Sequence, residues 1–475
     1  MSRREQLAAA AAAIVGKDRV SWSPEELATY SRDAWGLLRA HGDQLSLPEL
    51  VVRPANTEQV AAMVRLAVEH RTPIVPYGGG TGIMGGASTV VPGLVVDLGA
   101  MRRVLAIDLP GRAAHVEAGI ILSDLEAKLN RHGLLLGHDP WSLPIATVGG
   151  AISTNGVGYR AARYGSMGEQ VLGLVVVLPD GSILSTRAIP KSSTGFDLKS
   201  LFIGAEGVLG IITEATLRVF PLPEERVLVA YGFPSFEAGF AAIQEMFAIG
   251  LRPALLDYGE NHVPLLLRPL GWLLRLHEER PTLNLGFEGF REEVAAQDAR
   301  SRQICVARGG RPLSSQEAQE FWQTRHRAGE VYARHRRWRR HWPRHLLSSL
   351  GLEYIDVALP ASQVLAYRER CGALLSRQGI HVFEWGLWVQ PELLNVIMLK
   401  LSLIPGEARN GLSQARDAAL RLAQDMGGSM ESCHGVGLRL SHLMGEEHGR
   451  GLDLMRQVKA ALDPHNIMNP GKMGL

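Results

Sequence analysis

A glycine-rich stretch restricts the possible folds of this sequence more than any other feature. Residues 76–88, PYGGGTGIMGGAS, place six glycines between Gly78 and Gly86 and follow a short apolar run. The string GTGIMG matches the G-x-G-x-x-G fingerprint of a Rossmann fold, which must open a helix facing a pyrophosphate. Here the chain continues as ASTVVPGLVVDLGAM, which predicts a loop and then a strand. We therefore interpret the stretch as a loop whose backbone N–H groups approach anionic oxygens.

The residues before the glycines predict regular structure. Asn56, Thr57 and Glu58 form a capping pattern ahead of EQVAAMVRLAVEH, in which apolar residues recur at helical spacing. The following TPIVPY predicts a buried strand. The glycine-rich loop is thus expected to leave the end of a strand.

Two further segments have the composition of a ligand-binding loop. Residues 137–165, GHDPWSLPIATVGGAISTNGVGYRAARYG, are rich in Gly, Ser, Thr and Asn and hold no carboxylate after Asp139. Residues 203–221, IGAEGVLGIITEATLRVFP, place three glycines before a strand with alternating residue types. Each segment alone could be a structural turn, but three of them favour one extended cofactor held by main-chain amides.

Length, charge and cysteine content narrow the class of protein. A chain of 475 residues exceeds what one hydrophobic core holds, which predicts two domains. The net charge of +2 gives no support to nucleic-acid binding. Cys305, Cys371 and Cys433 are odd in number and widely spaced, which favours free thiols in a reducing compartment. The N-terminal MSRREQLAAAAAAIVGKD is too weakly apolar for a signal peptide, so we expect a cytoplasmic protein without membrane spans.

Several long motifs resemble one family. PYGGGTG, AHVEAG, GHDPWSLPIATVGGAIST, KSSTGFDLKSLFIGAEGVLGIITEATLRVFP and the terminal HGVG with ALDPHNIMNPGKM resemble the FAD-linked oxidases of the vanillyl-alcohol oxidase type. The branches most similar are the D-lactate, glycolate and 2-hydroxyglutarate dehydrogenases and alkylglycerone-phosphate synthase. The resemblance implies an α+β chain with an N-terminal helical segment (1–42), a two-subdomain FAD-binding domain (43–223) and an antiparallel-sheet substrate (cap) domain with C-terminal helices (224–475).

The resemblance also implies the cofactor and its contacts. The pyrophosphate loop corresponds to residues 76–82, and two later segments correspond to the rest of the FAD path. The expected cofactor residues are Pro76, Tyr77, Gly78, Gly79, Gly80, Thr81, Gly82, Ser142, Ala146, Thr147, Gly149, Gly150, Ser153, Asn155, Gly156, Glu206, Gly207, Gly210 and Ile212. Residues 1–304 contain no cysteine, and no histidine motif of the covalently tethered subfamilies is evident, so we expect non-covalent FAD.

Two residues match the family's catalytic machinery. In the 2-hydroxy-acid dehydrogenases a histidine in the motif HGxG lies at the flavin face, and His434 matches it. An imidazole with an ordinary pKa near ~6.5 suits a general base at neutral pH. A W-x-x-R segment of these enzymes pairs an arginine with the substrate carboxylate, and Arg325 in FWQTRHRAGEVY matches that arginine. The alternative for Arg325 is a solvated surface charge.

The sequence departs from the metal-dependent dehydrogenases. Those enzymes use the histidines of H-x-G-D-G-N-x-H and a glutamate before the HG pair. This chain has Trp385 and Glu392 at the histidine positions and Cys433 at the glutamate position. An indole, one carboxylate and one thiol do not reproduce the harder O/N ligand set, so we expect no bound metal.

The sequence also departs from the synthase branch. Alkylglycerone-phosphate synthases carry three consecutive histidines, with a tyrosine about forty residues earlier. Here Ser432, Cys433 and His434 keep only the last histidine, and residues 395–398 contain no tyrosine. The first expectation is therefore oxidation of the hydroxyl-bearing carbon of a 2-hydroxy acid resembling glycolate or D-lactate, with electrons passed to an unidentified acceptor. A transferase that uses FAD without net redox and a non-catalytic flavin-binding subunit remain alternatives.

An arginine-rich segment, residues 325–345, carries Trp338 and Trp342 among its basic residues. We expect a solvated loop that covers the active site. Contact with an anionic membrane surface is the first alternative, and RNA binding or stacking within an oligomer are others. The expected assembly is a homodimer.

Overall fold

The computed structural model describes residues 1–34, 45–263, 279–337, 350–401 and 407–475. The first subdomain is built on a small sheet whose strands are short apolar runs. Its parallel strands, in spatial order, are Leu50–Val52, Leu94–Asp97 and Ile74–Tyr77, and Val20–Ser21 pairs antiparallel at the edge. Alternate residues of these strands enter two separate apolar clusters, one on each face. Burial on both faces explains why the runs are continuously apolar.

The second subdomain is an antiparallel sheet. Its five strands, in spatial order, are Val104–Asp108, Ala113–Glu117, Ile211–Arg218, Val171–Val177 and Ile183–Ser185. The strand predicted within residues 203–221 is the central one. Its odd-numbered residues from Ile211 to Leu217 are buried, whereas Glu214, Thr216 and Arg218 are more exposed. The alternating pattern therefore identified a strand with one face towards the core.

Helices complete the first half of the chain. They are Arg3–Val15, Pro24–Tyr30, Thr57–Glu69, Leu122–Asn130, Val148–Ser153 and Ala161–Tyr164. The predicted capping pattern is confirmed, because the Asn56 side chain accepts a 2.9 Å hydrogen bond from the Gln59 N–H. The N-terminal helix buries Leu7 and Ala11 in the same core as helix Thr57–Glu69. The N-terminal residues thus pack as part of the first domain.

The C-terminal domain is built on a larger antiparallel sheet. Its strands, in spatial order, are Arg311–Pro312, Glu225–Gly232, Glu279–Gly289, Leu255–Asn261, His381–Trp388, Leu393–Leu401 and Leu350–Ala358. Two short strands of the first domain, Leu134–Leu135 and Phe220–Pro221, pair antiparallel. The helices are Phe236–Ala248, Arg291–Ala307, Ser315–Thr324, Arg327–Arg337, Val364–Arg377, Glu407–Asp425, Met444–His448 and Arg450–Leu462.

The C-terminal tail returns to the first domain. Helix Arg450–Leu462 is capped at its C-terminus by Asp463, the residue before Pro464. The tail then bonds to the strand before the glycine-rich loop, with the Ile74 N–H donating to the Ile467 carbonyl over 2.7 Å. Buried Lys459 donates to the Val208 carbonyl over 2.8 Å. These contacts hold the C-terminal domain against the loops that the sequence assigned to the cofactor.

The helices within the described residues include none with both the length and the apolarity needed to cross a membrane.

Candidate cofactor and catalytic site

The three glycine-bearing segments line one cavity between the two domains. The first segment follows strand Ile74–Tyr77, the second follows Leu134–Leu135, and the third runs into Ile211–Arg218. The predicted cofactor residues on the cavity wall are Pro76, Tyr77, Gly78, Gly79, Gly80, Thr81, Gly82, Ser142, Ala146, Thr147, Gly149, Gly150, Ser153, Gly156, Glu206, Gly207, Gly210 and Ile212. His434 of the C-terminal domain lines the same cavity.

The residues present fit an extended anionic cofactor such as FAD. The glycine-rich loop packs directly on the second segment, and a Cβ at Gly79 would lie 2.5 Å from the Ile145 carbonyl oxygen. Glycine is therefore required there, because any side chain would clash with the second segment. Thr147 caps helix Val148–Ser153 by accepting from the Gly150 N–H over 3.3 Å. The two segments thus form a wall of main-chain amides and hydroxyls.

Asn155 has a different environment from the other predicted cofactor residues. It is absent from the described residues that line the cavity. Its side-chain oxygen accepts a 3.0 Å hydrogen bond from the Gly168 N–H, and its φ is 48°. Asn155 therefore stabilises the turn after helix Val148–Ser153, a backbone conformation that asparagine tolerates better than most residues.

His434 is held by carboxylates from two directions. Its Nδ1 lies 3.2 Å from Asp356 Oδ2 and 3.4 Å from Glu431 Oε1. Asp356, on strand Leu350–Ala358, is fixed in turn by Asn395, whose Nδ2 donates to Oδ1 over 2.8 Å. The Tyr354 ring packs edge-on to the imidazole with 6.0 Å between centroids. These contacts fix the orientation of the ring against the cavity.

The charges around His434 change the pKa values of the pair. Burial lowers the pKa of His434, but Cys433 and Asp356 raise it more, so the net pKa lies well above the ordinary 6.5. Burial raises the pKa of Asp356, but His434 lowers it more, and the net shift is downward. His434 and Asp356 therefore form an ion pair at neutral pH.

Asp356, Glu431 and His434 each offer one ligand atom, and the three atoms lie within 4.8 Å of one another. These three residues are not the ones at the ligand positions of the metal-dependent dehydrogenases, where this chain has Trp385, Glu392 and Cys433. Glu431 Oε1 already accepts from the N–H groups of Cys433 and His434, over 2.8 and 2.7 Å. Glu431 is thus satisfied by backbone donors, whereas Asp356 Oδ2 and His434 Nδ1 face each other at 3.2 Å and make no hydrogen bond to any described residue.

Arg325 lies in a buried cluster around Asp139. Its Nε is 2.9 Å from Asp139 Oδ2, and its guanidinium stacks on the Trp322 ring with 3.7 Å to the centroid. His326 Nε2 lies 2.5 Å from Asp139 Oδ1, and Arg160 Nε lies 3.7 Å from Oδ2. Among the described residues Arg325 is not part of the cavity wall. With its side chain only 11% exposed, Arg325 is not a solvated surface charge, and its pairing with a substrate carboxylate stays a prediction.

The arginine-rich segment begins as a helix rather than a loop. Residues Arg327–Arg337 are helical, and the Tyr332 hydroxyl donates to the Gly80 carbonyl over 2.8 Å. Gly329 packs against the second segment, because a Cβ there would lie 2.4 Å from the Trp141 carbonyl oxygen. The segment thus covers the glycine-rich loop, as expected, but in helical form. Trp338 and Trp342 lie outside the described residues.

The sequence interpretation missed several residues of this site. Asp356 and Glu431 hold His434, Asp139 holds Arg325, and His138 lines the cavity. Burial lowers the pKa of His138 to about 4, which keeps its imidazole neutral. His138 and Asp139 stand in the segment 137–165, where Asp139 is the only carboxylate, and that isolated acidic residue was a usable signal. Nothing local marks Asp356, because its role depends on strand pairing.

Comparisons with known proteins agree with this geometry. Residues 48–187 match a family model described as FAD binding domain, and residues 222–473 match one described as FAD linked oxidases, C-terminal domain. The glycolate oxidase subunit GlcD of Bacillus subtilis is 30% identical over 438 residues, which cover 90% of this chain and 89% of that protein. The D-lactate dehydrogenase of Archaeoglobus fulgidus is 31% identical over 430 residues, which cover 89% and 91%.

Another relative belongs to a different reaction class. The alkyldihydroxyacetonephosphate synthase of Trypanosoma brucei brucei is 27% identical over 481 residues, covering 93% of this chain and 75% of that protein. Among solved structures, p-cresol methylhydroxylase with substrate bound matches with a TM-score of 0.79 at 18% identity, covering 99% of this chain and 96% of that chain. An alkyldihydroxyacetonephosphate synthase structure matches with a TM-score of 0.78 at 21% identity, covering 98% and 85%. At these identities the solved structures support the fold alone.

Proposed function

The chain belongs to the FAD-linked oxidases, and on that premise we propose that it oxidises the hydroxyl-bearing carbon of a 2-hydroxy acid, with His434 accepting the hydroxyl proton. It is an FAD-dependent oxidoreductase acting on CH–OH groups. The proposal specifies the substrate class and the base. It is supported by two relatives of about 30% identity whose names are glycolate oxidase subunit and D-lactate dehydrogenase.

One observation carries the proposal: His434, backed by Asp356, stands on the wall of the cavity that the glycine-bearing segments form. Bound FAD supplies the two-electron oxidation of the substrate carbon. The contacts of Nδ1 with Asp356 leave Nε2 as the nitrogen that meets the substrate. A histidine whose second nitrogen is fixed by a carboxylate is a well-oriented proton acceptor.

The first domain holds FAD through main-chain amides rather than through a covalent bond. We expect residues 76–82 to receive the pyrophosphate and the segments around Thr147 and Gly207 to receive the rest of the cofactor. Cys433 lines the cavity, but burial raises the pKa of this thiol, so it stays protonated and weakly nucleophilic. Acid denaturation should release all the flavin into the supernatant, whereas flavin retained by the precipitated chain would contradict non-covalent binding.

The test is anaerobic reduction of the bound flavin by a panel of D- and L-2-hydroxy acids, simple alcohols and phenols. We expect a 2-hydroxy acid to bleach the flavin spectrum and the other classes to leave it unchanged. His434→Ala should bind FAD and lose most of the reduction rate. His442→Ala is the matched control. His442 is exposed, its Nε2 pairs with Asp417 Oδ2 at 2.7 Å, and it does not line the cavity.

A second candidate function is transfer without net redox, of the type named for the synthase relative. The observation that favours it is Tyr354. Residues 395–398 contain no tyrosine, but strand pairing places Tyr354 directly opposite Ile397. The Tyr354 ring packs against the His434 imidazole, so a tyrosine stands next to the proposed base. Turnover of a fatty alcohol with an acyl-dihydroxyacetone phosphate, without lasting bleaching of the flavin, would support this candidate. If no compound reduces the flavin and no such turnover occurs, the results would support the remaining alternative, a non-catalytic flavin-binding subunit.

A further inference from the structure

Glu206 joins the two domains at the wall of the cavity. Its N–H donates to the Ser153 carbonyl over 2.8 Å, which fixes it within the first domain. Its own carbonyl accepts a 2.7 Å hydrogen bond from Asn469 Nδ2 in the C-terminal tail. The side chain is only 6% exposed, so its carboxylate must find partners inside the protein.

The carboxylate of Glu206 binds the loop that carries His434. Oε1 accepts from the Val436 N–H over 2.6 Å and from the Gly437 N–H over 3.0 Å. Oε2 accepts from the same Gly437 N–H over 2.9 Å. Burial raises the pKa of Glu206 to about 7, although the Gly437 and Val436 N–H groups and Lys472 lower it, so the carboxylate is fully ionised only above neutral pH. In that form its hydrogen bonds to backbone amides are stronger than neutral ones. The donors follow His434 by two and three residues.

The glycine after His434 is part of this contact. Gly435 has a φ of 81°, and a Cβ there would lie 2.7 Å from Glu206 Oε1. A larger residue would therefore strain the backbone and push the carboxylate away. The HGVG sequence is thus a loop shaped to wrap around Glu206, which the family motif alone does not show.

We propose that Glu206 is a positioning residue for His434, holding the loop 435–437 against the first domain so that the imidazole stays aligned with the bound cofactor. The proposal rests on the assignment of His434 as the base. Asp356 fixes the imidazole from the C-terminal sheet, and Glu206 fixes the following loop from the opposite domain. His434 is thereby held at the junction of the domains, where cofactor and substrate must meet.

A carboxylate is needed because both oxygens act as acceptors. In Glu206→Gln one oxygen becomes an amide NH2, and a donor then faces the Gly437 N–H. The matched control is Glu117→Gln. Glu117 is also buried, and its Oε2 accepts from the Arg103 N–H over 2.7 Å in the sheet of the first domain. Both variants replace a buried carboxylate that accepts from a backbone N–H, and Glu117 in addition pairs with the Arg103 guanidinium over 2.8 Å.

The experiment separates cofactor binding from the chemical step. Glu206 is one of the expected cofactor residues, but both of its carboxylate oxygens are bound by the N–H groups of Val436 and Gly437. For Glu206→Gln we therefore expect the FAD dissociation constant to stay within about threefold of wild type, and the limiting rate of flavin reduction at saturating substrate to fall at least about tenfold. Glu117→Gln should lose thermal stability and keep the wild-type rate. A wild-type limiting rate in Glu206→Gln would overturn the proposal. So would a loss of FAD affinity by the same factor as the rate, which would make Glu206 a cofactor residue.

A second readout needs no substrate. The pKa of the His434 imidazole, followed by NMR titration and assigned with His434→Gln, should move towards 6.5 in Glu206→Gln, because a loosened loop lengthens the contact with Asp356. The groups that face this imidazole are Asp356, Glu431, Cys433 and the Tyr354 ring. An unchanged titration would contradict the proposal. If no hydroxy acid reduces the wild-type flavin, the proposed function fails while the titration still decides the role of Glu206.

Glu206→Asp tests the same proposal if Glu206→Gln folds poorly. Glu206→Asp keeps the charge but withdraws the carboxylate by one methylene from the Val436 and Gly437 N–H groups. We expect the same pattern at smaller amplitude, with a rate loss of about threefold to tenfold and near-normal FAD affinity. A wild-type rate and a wild-type His434 titration in this variant would overturn the proposal equally.

Discussion

Arg325 and Asp139, 186 residues apart in the sequence, form a buried ion pair with 2.9 Å between Nε and Oδ2. Asp139 belongs to the second cofactor segment and Arg325 to the turn between helices Ser315–Thr324 and Arg327–Arg337. The pair therefore fastens the helix that covers the glycine-rich loop to the wall of the cavity. Arg325 thereby helps to close the cofactor site, and the binding of a substrate carboxylate expected from the W-x-x-R pattern stays a prediction.

Asp139→Asn should destabilise the protein and accelerate FAD release. Burial raises the pKa of Asp139, but His326, Arg160 and Arg325 lower it more, so the group is ionised throughout the neutral range. Removing its charge leaves buried cations without their shared partner, which costs about 3 kcal/mol in the free energy of unfolding. Denaturant titration and the FAD dissociation rate measure the two effects. Arg163→Ala, which breaks a more exposed pair with Glu293, is the control and should leave FAD release unchanged.

Tyr332→Phe should release FAD several times faster than wild type. The variant removes the hydroxyl that donates to the Gly80 carbonyl, and one neutral hydrogen bond contributes about 1 kcal/mol, or roughly fivefold in a rate. Stopped-flow recovery of flavin fluorescence measures the release. Tyr367→Phe loses a comparable bond, to the Ala419 carbonyl over 3.0 Å, inside the C-terminal domain. Equal release rates in the two variants would show that the covering helix does not retain the cofactor.

Local patterns predicted the fold of the first domain better than the contacts of the active site. The capping residue Asn56, the alternation in residues 211–218 and the glycine-rich loop each depend on neighbours in sequence, and the structure confirms the elements that they predict. Asp356 reaches His434 only through the pairing of distant strands, and Asp139 reaches Arg325 only when the domains dock. Periodicity and motif spacing hold no information about such pairings.

Gly79→Ala should weaken FAD binding while leaving the chain folded. The added methyl group would lie 2.5 Å from the Ile145 carbonyl oxygen, so the glycine-rich loop must move away from the second segment. We expect the FAD dissociation constant to rise about tenfold or more, as measured by fluorescence quenching with apoprotein. Gly445→Ala is the control, because a Cβ at Gly445 meets no atom within 4 Å. An unchanged affinity in Gly79→Ala would remove this loop from the cofactor contacts.

Chelation should leave flavin reduction unchanged. The positions of the metal ligands in the metal-dependent dehydrogenases hold Trp385, Glu392 and Cys433 in this chain, which is why we expect no cation. Asp356, Glu431 and His434 also offer three ligand atoms, of which Glu431 Oε1 accepts from two backbone N–H groups, while Asp356 Oδ2 and His434 Nδ1 make no hydrogen bond to a described residue. Elemental analysis of the purified protein and reduction rates before and after EDTA measure the outcome. Loss of activity that returns with Mn²⁺ or Zn²⁺ would show instead that the three side chains hold a cation.

The pH dependence of flavin reduction should report the ion pair of His434 with Asp356. Because the pKa of His434 lies well above 6.5, the imidazole is protonated at neutral pH, and a base role requires the reduction rate to rise with pH through that raised value. Asp356→Asn removes one of the groups that raise the pKa of His434, so the midpoint of the rate profile should move to lower pH.

The raised pKa of His434 also makes the free energy of unfolding depend on pH. A histidine whose pKa is raised by folding stabilises the protein fully below its unfolded pKa of about 6.5, and this contribution disappears as the pH rises through the folded value. Asp356→Asn should therefore cost more free energy of unfolding at pH 6 than at a pH above the wild-type midpoint. A rate midpoint that the substitution leaves in place would show that His434 is not the group whose deprotonation controls the reaction.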